Sequence, residues 1–188
     1  MSCRLRAVLG SLIMLAAVPA AASAAPAASA ASAARADFTV FCAWSDSART
    51  NPVEAYRFVP APAQTPRPSA RTHFAGYNNC TGSVSSGTAT TGPVTVDASC
   101  AEPFPLESIE TVTYTWNDGQ SSVVDYVRVI TTREVSGNLV RFRQKSVGLV
   151  TSGAGQGREV FRNTLFDPVI DCGAATTTMF GRTDHFTI

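Results

Sequence analysis

Ile109-Glu-Thr-Val-Thr-Tyr-Thr-Trp116, then Asn117-Asp118-Gly119, then a long Val-rich run, then Ser136-Gly137-Asn138, then Leu139 to Val150 fill the middle of the chain. The runs are rich in β-branched and aromatic residues, and the short segments between them carry hairpin-turn residues. Three consecutive antiparallel strands joined by two tight turns are therefore expected over 109–150.

The turns set a register. A three-residue Asn117-Asp118-Gly119 loop, with Gly119 in the left-handed region, pairs Trp116 with Gln120. Tyr114 then faces Ser122, Val112 faces Val124 and Glu110 faces Tyr126. A two-residue Gly137-Asn138 turn pairs Ser136 with Leu139, so that Glu134 faces Arg141, Thr132 faces Arg143, Ile130 faces Lys145, Arg128 faces Val147 and Tyr126 faces Leu149. Side chains alternate along a strand, so all of these share one face. That face is apolar near the first turn (Val112, Tyr114, Trp116, Val124, Tyr126, Leu149) and charged near the second (Glu134, Arg141, Arg143, Lys145). If it lines the core, the core opens at one end into a basic mouth, and these four residues are the candidate ligand-binding set for a small anion or a glycan. The plainer reading is a ribbon running past the core into water. A slip of one residue would exchange the two faces.

Outward from the meander the pattern repeats in shorter pieces. Phe38 to Trp44, Tyr56 to Val59, Arg71 to Ser85, Thr88 to Cys100 with a break at Gly92-Pro93, Arg158 to Phe166 and Ala175 to Ile188 all read as extended segments. Pro60 to Pro68 carries four prolines, which cannot donate to a ladder, and is expected to be an exposed loop. Thr151-Ser-Gly-Ala-Gly-Gln-Gly157 is followed by a strand, so it reads as a turn and not as a phosphate-binding loop. No convincing helix is present. Eight or nine short strands built from consecutive hairpins predict an all-β antiparallel barrel or a two-sheet sandwich.

The N-terminal residues have a different character. Arg4 and Arg6, the apolar run Ala7 to Ala22 and Ala22-Ser23-Ala24 have the layout of a signal peptide over 1–24. Residues 25–36 are nearly all Ala, Ser and Pro and read as a disordered leader, leaving 37–188 as one domain. Without Arg4, Arg6 and Arg35, the 15 basic residues fall to 12 against 14 acidic ones, a balance with no nucleic-acid footprint. No second apolar run long enough for a membrane span follows. Cys42, Cys80, Cys100 and Cys172 remain once the signal is removed, an even number that predicts two disulfides in an exported domain, with three pairings open.

Catalytic chemistry has little support. His73 and His185 are the only histidines, and no Gly-x-Ser-x-Gly elbow is present. Asp184 and His185 are adjacent on an expected strand and point to opposite faces. No metal centre or cofactor is expected from this sequence, and a paired-carboxylate hydrolase needs no motif to betray it.

Cys42, Tyr56-Arg-Phe-Val-Pro60, Cys80 with the Thr/Ser/Gly-rich strand after it, Ser99-Cys100, Thr113-Tyr-Thr-Trp-Asn-Asp-Gly-Gln120, Val150-Thr-Ser-Gly153 and Cys172 together resemble a set of small exported β-proteins of actinobacteria that carry no assigned function. The resemblance implies pairing Cys42 with Cys80 and Cys100 with Cys172, and transfers no catalytic residue. The expectation is a secreted, non-catalytic β-domain that binds a small molecule, a glycan or an extracellular protein. Its alternatives are a structural protein of the cell envelope and a small hydrolase or secreted inhibitor. A closed core without a cavity would favour the structural alternative.

Overall fold

A computed structural model of the chain describes residues 37–45 and 52–188. The expected signal peptide and leader, residues 1–36, lie outside the described residues. Eleven strands are present: β1 (Val40–Ala43), β2 (Val53–Val59), β3 (Arg67–Tyr77), β4 (Cys80–Gly82), β5 (Gly87–Thr90), β6 (Val94–Ala98), β7 (Glu107–Trp116), β8 (Ser121–Ser136), β9 (Leu139–Gly153), β10 (Glu159–Phe166) and β11 (Thr177–Thr187). No described residue is helical. Eight strands close an antiparallel barrel in the order β2-β3-β5-β7-β8-β9-β10-β11, with β11 returning to β2. Closure removes the free edges that an open sheet of this size would expose.

The meander forms as expected at its two turns. The Trp116 amide donates to the Gln120 carbonyl at 2.9 Å, and Gly119 has φ 84°. Tyr114 pairs with Ser122, Val112 with Val124, Ser136 with Leu139 and Glu134 with Arg141. Between these ends the register departs from expectation. Tyr126 pairs with Gly148, not Leu149, whereas Arg128 pairs with Val147 as expected, so Val127 is an extra residue on β8 relative to both neighbouring strands. A bulge re-aims every side chain beyond it. Ser122, Val124 and Tyr126 face inward before the bulge, whereas Val129 and Thr131 do so after it. On β9 the inward set is Phe142, Gln144, Ser146 and Val150. At Gly148 the wall is too tight for a side chain: a Cβ there would lie 2.6 Å from the Asp125 carbonyl oxygen.

Two strands fork. β3 pairs with β5 through Phe74–Tyr77 and with β6 through Arg67–Arg71. β11 pairs with β2 through Thr177–Arg182 and with β1 near His185–Thr187. The second fork carries β1 and then β4, joined by the Cys42–Cys80 disulfide. Cys100–Cys172 links the segment after β6 to the loop before β11. The expected proline loop is shorter and less exposed than anticipated. Ala61 is buried, the Cys100 amide donates to the Ala63 carbonyl, and Pro68 already belongs to β3. Pro68 is tolerated because it pairs with β6 beyond the point where β2 ends, so no ladder bond to β2 is lost.

Inward residues fall into three layers. One end is apolar around Tyr77, Tyr114, Trp116, Val150 and Phe186, and the other around Phe58, Phe104, Phe142, Phe166 and Met179. Each long wall strand crosses a polar layer between them: β10 runs Val160, Arg162, Thr164, Phe166, and β11 runs Met179, Gly181, Thr183, Phe186.

Deleting Val127 should restore the regular alternation of β8, drive its second half out of phase and prevent a cooperative fold. Val127→Ala, at an exposed position, should stay within about 0.5 kcal/mol of wild type. Urea denaturation of the two variants measures the contrast. A deletion variant as stable as Val127→Ala would remove the bulge from its role.

Candidate functional site

Position 54 is where the barrel places its least expected side chain. Glu54 is in phase with Tyr56 and Phe58 on β2, so it points inward and is fully buried. Its Oε1 accepts from the Tyr77 hydroxyl at 2.8 Å, Thr183 at 2.7 Å and Thr164 at 3.0 Å. Its Oε2 meets His73 Nε2 at 3.2 Å, which puts the ring proton on Nε2 if that contact is to be a hydrogen bond. Arg162 Nη1 lies 3.8 Å from the same oxygen. On β7, Glu110 faces inward beside the bulge. It accepts from Arg162 Nη2 at 2.8 Å, and the Tyr56 hydroxyl reaches its two oxygens at 3.1 and 3.2 Å.

Arg162 therefore stands between two buried carboxylates. Its guanidinium also lies over the Tyr126 ring at 4.5 Å and contacts Ser146 Oγ at 3.3 Å. Burial alone would push the Glu54 and Glu110 carboxyls up, but the Arg162 charge, with His73 beside both, outweighs it and holds both below the usual carboxylate range. Burial, reinforced by neighbouring carboxylates, pushes the hydroxyls of Tyr56 and Tyr77 well up. Tyr114 and Tyr126, whose hydroxyls are 2.6 Å apart, are raised chiefly by burial, with Tyr77 adding to the rise of Tyr114 and Tyr114 to that of Tyr126.

This ionic layer reaches the surface at one place. β6 pairs with β3, and the first half of β7 pairs with β8, but β6 and β7 do not pair with each other, so the barrel wall is open between them. The gap is a cleft of about 650 Å³, within the range of small-molecule sites. Arg71, Glu110, Asp125 and Tyr126 bring polar groups to it, and Pro93, Val94, Ile109 and Val127 bring apolar ones. Ile109 and Val127 are 79% and 68% exposed, because the bulge turns them outward beside the opening.

Arg71 is 6% exposed and stacks over Tyr56 at 4.9 Å and Phe104 at 5.9 Å. It has no hydrogen bond or ion pair to any described residue, and its Nη1 is shielded from solvent. A buried guanidinium nitrogen without an acceptor is costly. Arg162 also leaves Nε and Nη1 without hydrogen bonds, but it has two carboxylates beside it, whereas Arg71 makes no ion pair to a described residue.

The residues singled out in sequence lie elsewhere. Beyond the bulge, Glu134, Arg141, Arg143 and Lys145 are on the outer face and do not form a mouth to the core. Glu134 sits across from Arg141 in the ladder but bonds Arg143 instead, at 2.5 Å. Arg143 also donates to Asp184 at 2.8 Å. Arg141 lies 3.3 Å from Asp167, on a smaller pocket that it shares with Trp44, Phe180 and Arg182. Lys145 is exposed. His73 belongs to the buried layer, whereas His185 packs edge-on against Phe41 and Phe161. Among the described residues no group of three or more His, Cys, Asp or Glu side chains gathers to hold a metal.

Sequence reasoning passed over Glu54, Arg162 and Arg71; it set Glu110 opposite Tyr126 on the inward face, as found, and named His73 as one of two histidines, but assigned neither to a site. The available signal was phase for Glu54 and Glu110, which share the parity of the aromatic residues of their strands, whereas β3 and β10 carry aromatic residues of both parities and give no such signal for His73, Arg71 and Arg162. No family model, curated protein or solved structure matches the chain. Chemically, Glu54 is saturated and sealed, and both carboxylates are held ionised, so neither is poised as a general acid. Glu110 and Arg71 are the charged members of the layer that also line the cleft.

Arg162→Met should cost about 3–5 kcal/mol, because it strands two buried carboxylates. With both carboxyls depressed, their stabilisation is complete above the ordinary glutamate value of about 4.3 and is lost as pH falls toward the lower folded values. The raised tyrosines act oppositely: stability holds below about pH 10 and falls above it. Urea midpoints measured from pH 2 to 11 should trace both losses in wild type, with the acid loss shrinking in Arg162→Met. An acid limb identical in the two proteins would contradict the assignment.

Proposed function

We propose that the chain is an exported, disulfide-stabilised binding module that takes a small molecule into the cleft between β6 and β7. The observation that carries this reading is the open wall itself. Among the described residues the wall between β6 and β7 is left without pairing and forms a cleft of about 650 Å³ with a polar floor and an apolar rim; a second cleft, of about 630 Å³, lies between β1, β4 and β10 and is not built on the buried ionic layer. A purely structural envelope protein has no use for such a gap, so the cleft favours binding over the structural alternative.

Two disulfides fit an oxidising compartment. No helix among the described residues is long and apolar enough to cross a membrane. Together with the signal-like start of the chain, these features support release to the cell exterior or envelope. The resemblance to exported actinobacterial β-proteins belongs to the same proposal.

A bound molecule stabilises the folded state by mass action, about 2.7 kcal/mol at a hundredfold excess over Kd. A thermal-shift screen of small metabolites and short glycans should therefore yield compounds that raise the Tm of wild type. Thr111→Trp, an exposed position lining the cleft, should fill the opening, keep the fold and abolish the shift. Compounds that stabilise both proteins equally would place binding elsewhere, and a screen without any stabiliser would count against a small-molecule role.

A further inference from the structure

We propose that the cleft receives an apolar monocarboxylate, with its carboxylate on Arg71 and its hydrocarbon part against Val94, Ile109 and Val127; this rests on reading the cleft as a small-molecule site. Arg71 supplies the anchor. Arg71 is more than nine-tenths buried as a residue, lines the cleft and finds no hydrogen-bond acceptor among the described residues, with Nη1 the nitrogen sealed from solvent. The two aromatic rings that hold it fix its plane but accept no conventional hydrogen bond. A planar fork of N–H donors left in this state is complemented by a carboxylate, which accepts two parallel hydrogen bonds.

Charge at the cleft limits the anion. Glu110 and Asp125 line the same space, the first already bound to Arg162 and Tyr56 and the second accepting from Thr111 at 2.7 Å. Against those two carboxylates a second negative charge on the ligand is repelled, which disfavours a phosphate monoester or a dicarboxylate. The rim sets the rest of the ligand. Val94, Ile109 and Val127 are exposed apolar side chains on opposite sides of one opening, where β6 faces β7 and β8. Single exposed apolar residues need no explanation, but three around one cleft form a surface that an aliphatic or aromatic group would cover.

Isothermal titration calorimetry with octanoate, 1-octanol, octyl phosphate and octylammonium tests the assignment on wild type, Arg71→Met and Val127→Asp. Octanoate should bind wild type more tightly than the other three. Arg71→Met keeps the stem but loses the charge, and should weaken octanoate about ten- to a hundredfold, the scale of a hydrogen bond to a charged group, while leaving octanol unchanged. Val127→Asp, at an exposed bulge that does not burden folding, should weaken octanoate severalfold and guards against misfolding of the Arg71 variant.

Equal binding of octanoate and octanol, or an Arg71→Met variant with unchanged octanoate affinity, would overturn the carboxylate assignment while leaving the cleft as a binding site. Preference for octylammonium would assign the site to a cation and overturn it too. If none of the four probes binds, the monocarboxylate proposal fails, and the Thr111→Trp comparison with other compounds decides the broader reading separately.

Discussion

Arg162, fixed between Glu54 and Glu110 at the centre of the barrel, is the interaction on which the rest of the structure depends. Ions taken from water into a protein interior are strongly penalised unless each lone pair and each proton finds a partner. Glu54 meets that condition with hydroxyls from β3, β10 and β11 and the imidazole of His73. Glu110 meets it with Tyr56 and Arg162. The partners come from strands far apart in sequence, so the two carboxylates are satisfied only when the ring β2-β3-β5-β7-β8-β9-β10-β11 is closed, while Arg162 Nε and Nη1 and His73 Nδ1 keep no hydrogen-bond partner. An apolar core of the same volume would tolerate sliding between strands. A layer with fixed donors and acceptors ties β2, β3, β7, β10 and β11 to one register, so it contributes specificity in addition to whatever net stability it provides.

The opening between β6 and β7 follows from the same wall. Gly92-Pro93 interrupts the strand that would otherwise continue β5, so β6 stays with β3 and the first half of β7, paired with β8 on one edge, has no partner on the other. The bulge at Val127 then turns two apolar side chains toward that opening, while Glu110, next to the same irregularity, turns inward to the ionic layer. Fold and candidate site are thus produced by one local departure from regular β geometry. Arg71 is the consequence: it is buried by the aromatic residues of one apolar cluster and left facing the cleft without an acceptor.

Much of the architecture was legible in the residues. The Asn117-Asp118-Gly119 loop, the Gly137-Asn138 turn, the inward residues Val112, Tyr114, Trp116, Val124 and Tyr126, and the all-β class follow from turn chemistry and alternation, and the structure has them, whereas Leu149, expected on the same face, is exposed. Cys42–Cys80 and Cys100–Cys172 are the pairings that the family resemblance implied. The site was not legible, for a specific reason. Turns at Gly119 and Gly137 set the pairing at the two ends of β8, and the pairs near each end are right. No turn reports on the middle, where Val127 adds one residue and changes the inward parity. Arg141, Arg143 and Lys145 consequently lie on the outer face, although all three sit opposite the residues expected. Glu54, His73 and Arg162 were hidden by a different effect. Each occurs alone in its strand, and their convergence exists only after the barrel has closed.

Ionised glutamates sealed inside a β-barrel are a definite physical claim, and carbon-13 NMR of the glutamate side-chain carboxyls reads it directly. Two carboxyl resonances, assigned through Glu54→Gln and Glu110→Gln, should keep their ionised shifts as the pH of the folded protein is lowered through the ordinary glutamate midpoint of about 4.3. Titration of Glu54 at or above that midpoint would mean that Arg162 does not neutralise a buried charge there, and would contradict the account of how this barrel is held.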